Sequence, residues 1–191
     1  AAVKAETDVC CTSSNAVKVV DSLPHKKIIF APDKNLASYI ANFTDKEIIP
    51  WDGFCIVHHA VTEEKILKAK EAKPNAVVVA HPECRKEVIK HADHVCSTSG
   101  MIDFTKNSDS KEFIIVTEIG MVEMLKQKVP NKEFYTVMGP CVNMKKNTLE
   151  KVKKCLEEYE LGKDNPYIVR VSPEIAEKAK KALTKMIEAG V

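Results

Sequence analysis

The stretch Ala76-Val77-Val78-Val79-Ala80-His81-Pro82-Glu83-Cys84 decides the fold class of this 191-residue chain. Its first five residues form a short apolar run rich in β-branched side chains, which is typical of a buried strand in a parallel sheet. The reactive side chains His81, Glu83 and Cys84 follow at once. Because open α/β sheets collect ligands at the carboxyl ends of their strands, this order predicts a parallel sheet with a reactive loop at its edge.

The same order of strand and reactive loop occurs twice more. Glu47–Trp51 leads through Gly53 to Cys55, and Phe134–Val137 leads through Gly139 to Cys141. A glycine lets the backbone approach a bulky inorganic group closely. Thiolates at two strand ends can hold part of an iron–sulfur cluster; the alternative is a pair of buried thiols. Three such strand ends predict one shared reactive site.

The remaining elements follow from periodicity and helix caps. Strands are predicted at Lys27–Ala31, Glu47–Trp51, Ala76–Ala80, His94–Thr98, Phe113–Thr117, Phe134–Val137 and Tyr167–Val171. Helices are predicted at Ser13–Leu23, Asp33–Phe43, Thr62–Lys73, Cys84–Ala92, Gly120–Val129, Asn147–Glu160 and Ser172–Ala189. This alternation predicts an α/β fold of repeated three-layer αβα units with small parallel sheets.

The chain is predicted to divide into three parts. Residues 1–55 form a partial α/β domain, residues 56–141 a second α/β domain, and residues 142–191 a mostly helical C-terminal segment. The first part contains only two predicted strands, which are too few to bury a core well. We therefore expect the N-terminal part of this domain to lie in sequence upstream of residue 1 or on a partner chain.

Composition narrows the function classes. Hydrophobic residues make up 45% and charged residues 29%, which fits a soluble globular protein. A net charge of +2 with interspersed signs argues against nucleic acid as the main partner. No apolar run is long enough for a membrane span, and no signal peptide is visible. Seven cysteines without a C-x-x-C pair indicate reduced thiols in the cytoplasm, as ligands, nucleophiles or core residues.

Several loops carry polar residues with two possible roles. Ser13, and later Ser97 with Thr98, precede helices, where hydroxyl groups either cap the helix or bind an anion. His81 and Glu83 either form a general acid/base pair or play only structural roles beside a helix start. Cys96 and Cys155 are predicted to be core residues. Asp33 is predicted to be a simple helix cap.

Taken in order, these motifs resemble one family. The segments are Cys11–Ala16, Pro32–Ala37, Gly53–His58, His81–Cys84, Ser97–Met101 and Cys141–Lys145 with Asn147–Leu149. Together they look like quinolinate synthase, and the match runs through almost the whole chain. The resemblance implies three similar α/β domains related by pseudo-threefold symmetry, of which this chain holds two.

The resemblance also implies an activity and a cofactor. The family condenses iminoaspartate, supplied by an upstream enzyme, with dihydroxyacetone phosphate to give quinolinate in cytoplasmic NAD biosynthesis. A [4Fe–4S] cluster is held by three cysteines; two of these positions match Cys55 and Cys141. The fourth iron, free of protein ligands, acts as a Lewis acid. The third cysteine and a catalytic tyrosine are expected in the missing N-terminal region. Residues 142–191 would pack on that region, whether it belongs to the same chain or to a separate fragment.

Individual roles carry over by position. His81 and Glu83 match residues that move protons, whereas Ser13, Ser97 and Thr98 match residues that bind substrate. Cys84 matches a residue of the same motif that is not a cluster ligand. Two alternatives stay open: a non-catalytic module that binds a phosphorylated metabolite through the three hydroxyl residues, and a zinc or thiol-redox protein that uses Cys55, Cys84 and Cys141.

Overall fold

The protein is described by a computed structural model covering residues 1–159 and 165–189. Its strands are β1 (Lys27–Phe30), β2 (Glu47–Pro50), β3 (Val77–Ala80), β4 (His94–Val95), β5 (Glu112–Val116) and β6 (Glu133–Thr136). Its helices are α1 (Ala2–Ala5), α2 (Ala16–Ser22), α3 (Lys34–Ile40), α4 (Ile56–His59), α5 (Glu63–Ala72), α6 (Lys86–Ile89), α7 (Thr98–Asn107), α8 (Ile119–Lys128), α9 (Leu149–Glu157) and α10 (Pro173–Glu188). The pairing of these strands is parallel throughout, in sheets ordered β1–β2 and β4–β3–β5–β6.

The four-stranded sheet is covered on both faces. Alternate residues of a strand point to opposite faces, and both sets are apolar here. Val78 and Ile114 belong to a buried cluster with Ile66 of α5, whereas Val79 and Ile115 belong to a second cluster with helices α7 and α8. The predicted three-layer αβα arrangement with a small parallel sheet is therefore confirmed.

The two-stranded sheet is covered on one face. Phe30 of β1 packs with Leu36 and Ile40 of α3 in a third buried cluster. The opposite face carries Ile29 and Ile49, whose exposed fractions are 78% and 41%. Strands β1 and β2 and the four-stranded sheet belong to one compact unit, which comprises mainly Cys11–Pro140.

A second compact unit consists of Ala1–Cys10 and Cys141–Glu188. Helix α1 packs against α10, and the backbone N–H of Cys10 donates to the carbonyl oxygen of Ala182 at 3.0 Å. Helix α9 has no buried residue, and its Leu149 is 80% exposed. Among the helices of the described ranges, none is both long and apolar enough to cross a membrane.

Most predicted elements occur, with a few informative differences. Tyr167–Val171 is not a strand: none of the strands in the described ranges pairs with it, and Val169 is 87% exposed. The helix predicted at Cys84–Ala92 shrinks to α6, and the one predicted to reach Glu160 ends at Glu157; residue 160 lies outside the described residues. The predicted boundaries after residues 55 and 141 stay predictions.

Cys96 and Cys155 were both expected in the core, and the outcome differs between them. Cys96 follows strand β4 rather than lying within it, and it packs partly buried against the cluster formed with α7 and α8. Cys155 is only half-buried on α9. The core interpretation therefore fails for Cys155, because a helix with no buried residue has no core to enter.

A βαβ unit repeats at an offset of 86 positions. Strands β1 and β2 with the helix between them correspond to β5 and β6 with α8. The residue before the second strand is Lys46 in one unit and Lys132 in the other. Each ammonium group binds carbonyl oxygens at the end of an earlier helix, at 2.6 Å from Val20 O and 2.6 Å from Thr105 O. The same offset relates Gly53 to Gly139 and Cys55 to Cys141.

The two related glycines have different surroundings. A Cβ atom at Gly53 would lie 2.5 Å from the carbonyl oxygen of Pro32, whereas one at Gly139 would meet no atom of the described residues within 4 Å. Position 53 therefore requires glycine, because the Pro32 carbonyl oxygen leaves no room for a side chain. An approach of either glycine to an inorganic group stays a prediction.

We expect Gly53→Ala to lower the free energy of unfolding by about 1–3 kcal/mol, since the new methyl group displaces backbone. The matched control Gly139→Ala should change it by less than about 0.5 kcal/mol. Urea unfolding followed by circular dichroism measures both. Equal losses for the two variants would contradict the close packing at Gly53.

Candidate active site

Cys55 is fixed in place through its backbone. It lies in the loop after β2, directly before α4, and its N–H donates to Oδ2 of Asp33 at 2.7 Å. The other oxygen of this buried carboxylate, Oδ1, accepts the N–H of Leu36 at 2.7 Å and so caps α3. One carboxylate thus caps a helix, as predicted, and also orients the Cys55 loop.

His58 lies at the centre of the site. It is one helical turn after Cys55, and its Nδ1 atom is 3.2 Å from Cys55 Sγ and 3.0 Å from Glu83 Oε2. On the other side of the ring, Nε2 lies 2.9 Å from Oγ1 of Thr117, the residue after β5. The buried imidazole therefore joins groups that follow three different strands.

His81 and Glu83 lie together at the carboxyl end of β3. The His81 ring stacks on the His58 ring with centroids 4.5 Å apart and planes 15° apart. The backbone N–H of Glu83 donates to His81 Nδ1 at 3.4 Å, and Glu83 Oε2 is 3.7 Å from the same nitrogen. Because Nδ1 accepts this hydrogen bond, the neutral ring carries its proton on Nε2.

The two stacked histidines have opposite charge preferences. Burial disfavours the charged form of His58, but its hydrogen bonds to Cys55 and Glu83 outweigh burial and raise its pKa to about 9. For His81, burial and the nearby charge of His58 lower the pKa to about 4. At neutral pH one ring is therefore an imidazolium and the other a neutral imidazole.

His58 also shifts the pKa values of its two acidic partners, Glu83 and Cys55. Its hydrogen bond lowers the pKa of Glu83 and also lowers the pKa of the Cys55 thiol. Cys84 behaves differently, because burial raises the pKa of its thiol to about 12 and Sγ contacts the carbonyl oxygen of Val116 at 3.6 Å. Cys55 is thus the reactive thiol of this cluster, and Cys84 is a structural one.

The predicted hydroxyl residues lie at two helix starts. Ser97 is buried and its Oγ accepts the N–H of Gly100 at 3.3 Å, so it caps α7; Thr98 is the exposed first residue of that helix. Ser13 is half-buried in the turn before α2. No hydrogen bond within the described residues joins any of these three hydroxyl groups to His81 or Glu83.

The turn around Ser13 is not closed by an ordinary cap. Oδ1 of Asn15 accepts the N–H of Thr12 at 2.6 Å, and the buried Nδ2 atom has no hydrogen-bond partner in the part of the chain that the structure describes. Capping by a side chain, the simpler of the two interpretations for this segment, does not occur at α2.

Cys141 belongs to the compact unit formed by Ala1–Cys10 and Cys141–Glu188, and it is the first residue of the second of these segments. It is buried, and its carbonyl oxygen accepts the N–H of Lys145 at 3.0 Å. Cys55 belongs to the Cys11–Pro140 unit. Their shared role as cluster ligands therefore stays a prediction.

Two site residues were not among the predicted ones. His58 is three positions after Cys55, a spacing that brings side chains together once α4 forms. Thr117 adjoins His81 because Ala80 is paired with Val116 across the sheet. The helical spacing is visible in the sequence, but the register that brings in Thr117 is not.

These features define an α/β protein with a partly buried cluster of cysteine, histidine and glutamate at the carboxyl ends of parallel strands. Such a set of donors and split pKa values is typical of an active site. Comparison with known proteins identifies the family. The sequence profile described as "NadA: Quinolinate synthetase A protein" matches residues 1–188, and the chain belongs to the quinolinate synthase family.

Curated relatives agree with this assignment. The chain is 50% identical over 194 residues to a quinolinate synthase of Caldicellulosiruptor saccharolyticus, covering 98% of this chain and 61% of that protein. It is 50% identical over 189 residues to one from Methanosarcina barkeri, with 98% and 60% covered, and 52% identical over 194 residues to one from Caldicellulosiruptor bescii, with 100% and 62% covered. The chain thus spans about 60% of the length of these relatives.

The thiols of the metal-free chain should differ in reactivity. At pH 7 we expect iodoacetamide to modify Cys55 at least about tenfold faster than Cys84, because only the Cys55 thiolate is stabilised by a neighbouring imidazolium. Mass spectrometry of quenched peptides gives both rates. His58→Asn should slow the reaction at Cys55 and leave that at Cys155 unchanged; a Cys55 rate insensitive to this substitution would contradict the role of His58.

Proposed function

We propose that this chain takes part in forming quinolinate from iminoaspartate and dihydroxyacetone phosphate, a step of NAD biosynthesis in the cytoplasm. Family membership supports the reaction class, and the observation that carries the proposal is the stacked pair His58–His81 with Glu83 beside it. Two histidines whose pKa values diverge in this way offer a proton donor and a neutral imidazole in one site.

The proposed cofactor is a [4Fe–4S] cluster with Cys55 and Cys141 as two of its ligands. The Cys55 thiol fits this role because its pKa is lowered and its side chain is only half-buried. The matching position of Cys141, 86 residues later and again five residues beyond a strand, is consistent with an equivalent role. When bound, the cluster supplies a Lewis acid that polarises oxygen atoms of the substrate.

The protein's own groups would handle charge and protons. The His58 imidazolium is balanced by Glu83 and Cys55, so its proposed role is to hold the proton between these two groups. Glu83, kept ionised by His58 Nδ1, accepts protons at its free carboxylate positions. His81, neutral with its proton on Nε2, donates a hydrogen bond that polarises a carbonyl oxygen. Ser13, Ser97 and Thr98 are the proposed contacts to carboxylate and phosphate groups.

The experiment that tests the proposal completes the protein first. The chain is combined with a polypeptide covering the part of the Caldicellulosiruptor protein that it does not span, and is reconstituted anaerobically with iron and sulfide. We expect quinolinate, measured by chromatography, with one phosphate released for each molecule formed. A completed protein that contains the cluster and forms no quinolinate would overturn the proposal.

Iron retention distinguishes ligands from other cysteines. In the completed protein, Cys55→Ser and Cys141→Ser should abolish iron retention, because each removes a thiolate ligand. Cys155→Ser, a control on a half-buried helix position, should retain it. Iron analysis and visible absorbance provide the measurement. Equal losses in all three variants would count against the ligand assignment.

A substitution at His81 should separate its role from that of the ligands. His81→Ala should keep the iron content and lower kcat by about 10²–10³-fold, as expected for loss of a hydrogen-bond donor to the reacting oxygen. Retention of full activity with a full cluster would remove His81 from the mechanism.

A second candidate function is supported by the turn that contains Ser13, where the buried Nδ2 atom of Asn15 has no hydrogen-bond partner among the described residues. In this candidate the chain is a non-catalytic module that binds a phosphorylated metabolite through Ser13, Ser97 and Thr98. Calorimetry with dihydroxyacetone phosphate and the cluster-free chain tests this candidate, and the absence of heat from binding would eliminate it.

A further inference from the structure

The site contains three donor atoms that together suit a single metal ion rather than the proposed iron–sulfur cluster. Sγ of Cys55, Nδ1 of His58 and a carboxylate oxygen of Glu83 all lie within 4.8 Å of one another. We propose that, when the iron–sulfur cluster is absent, these three atoms bind a single Zn²⁺ ion. The zinc alternative considered from the sequence used Cys55, Cys84 and Cys141; in the site proposed here, His58 and Glu83 stand in place of Cys84 and Cys141.

The spacing of the donors is close to what the ion needs. With Zn–S near 2.3 Å and Zn–N or Zn–O near 2.0–2.1 Å, tetrahedral angles require about 3.5 Å between S and N and about 3.3 Å between N and O. The present distances at His58 Nδ1 are 3.2 Å to Cys55 Sγ and 3.0 Å to Glu83 Oε2. Each pair therefore needs to separate by only a few tenths of an ångström.

The chemistry of the donors is also appropriate. One thiolate, one imidazole and one carboxylate form a three-ligand zinc site whose fourth position is left for water. The thiolate and carboxylate balance the two positive charges of the ion. The proton on Nδ1 of His58 leaves to solvent as the nitrogen lone pair binds the metal, so zinc binding releases protons.

Groups behind the ligands are already arranged to hold them. A histidine that binds metal through one nitrogen usually donates its other N–H to a fixed acceptor. His58 Nε2 lies 2.9 Å from Oγ1 of Thr117, which is buried. The N–H of Cys55 is held by Asp33 Oδ2. Cys55 and Glu83 remain partly exposed, which gives the ion a path from solvent.

Zinc and the proposed cluster would compete, because both require the Cys55 thiolate. Zinc bound at this site therefore blocks insertion of the cluster at Cys55. The three zinc ligands all belong to the Cys11–Pro140 unit, so the zinc site does not depend on the proposed reaction.

The test uses the metal-free 191-residue chain under anaerobic, reducing conditions. Zinc is titrated in competition with a chromogenic chelator, and Co²⁺ is used in parallel for its thiolate charge-transfer band. We expect one tight site per chain. Cys55→Ser, His58→Asn and the nearly isosteric Glu83→Gln should each weaken it, and Cys55→Ser should also abolish the cobalt band at that site.

A substitution behind the ligands and a matched control complete the test. Thr117→Val, which keeps the shape and removes the hydrogen bond, should weaken zinc binding about 10–100-fold. Cys84→Ser should leave affinity and cobalt spectrum unchanged. Circular dichroism of every variant checks that the fold persists. Tight binding that survives Cys55→Ser or Glu83→Gln in a folded chain, or no tight site in the unmodified chain, would overturn the proposal; neither result bears on quinolinate formation, which is assayed separately.

Discussion

The parallel pairing of β3 with β5 is the constraint on which the site depends. Because Ala80 lies opposite Val116, the next residues, His81 and Thr117, leave the sheet side by side. The apolar run of β3 is nearly uniform and would tolerate a slip by one residue, which would exchange its two faces. The N–H of His81 continues the pairing with β5 by donating to the carbonyl oxygen of Val116 at 3.2 Å. On the other edge of β3, Asp93, directly before β4, accepts the N–H of Val78 at 2.8 Å through Oδ2, a side-chain contact that fixes the position of β3.

That register creates the electrostatic asymmetry of the site. His58 and His81 are similar rings in van der Waals contact, yet only His58 touches two acidic partners through one nitrogen. Burial acts against charge on both rings, and the hydrogen bonds decide which of them is protonated. A site with one charged and one neutral imidazole suits a reaction of several proton transfers better than two equivalent histidines would.

The 86-residue offset relates two loops that end in cysteine, but the loops have diverged in their surroundings. The Pro32 carbonyl oxygen comes so close to Gly53 that a Cβ atom would not fit, and the N–H of Cys55 donates to Asp33. At Gly139, by contrast, a Cβ atom would contact none of the described residues. The lysines before the two second strands retain the same structural role, each binding carbonyl oxygens of a preceding helix. The repeat thus preserves the scaffold more strictly than the loops, as expected when loops carry the function.

Sequence alone determined the strand type, the α/β class and the proximity of His81 to Glu83. β-branched runs between capped helices specify buried parallel strands, and two residues flanking Pro82 on one short turn must lie close together. Tyr167–Val171 was mispredicted for the complementary reason: β propensity without a neighbouring strand leaves the backbone hydrogen bonds unmade. Tertiary structure decided the roles of His58 and Thr117, which are 59 positions apart. Their contact, and the pKa values that follow from it, arise from strand register and burial, which are properties of the assembled sheet rather than of any local stretch of chain.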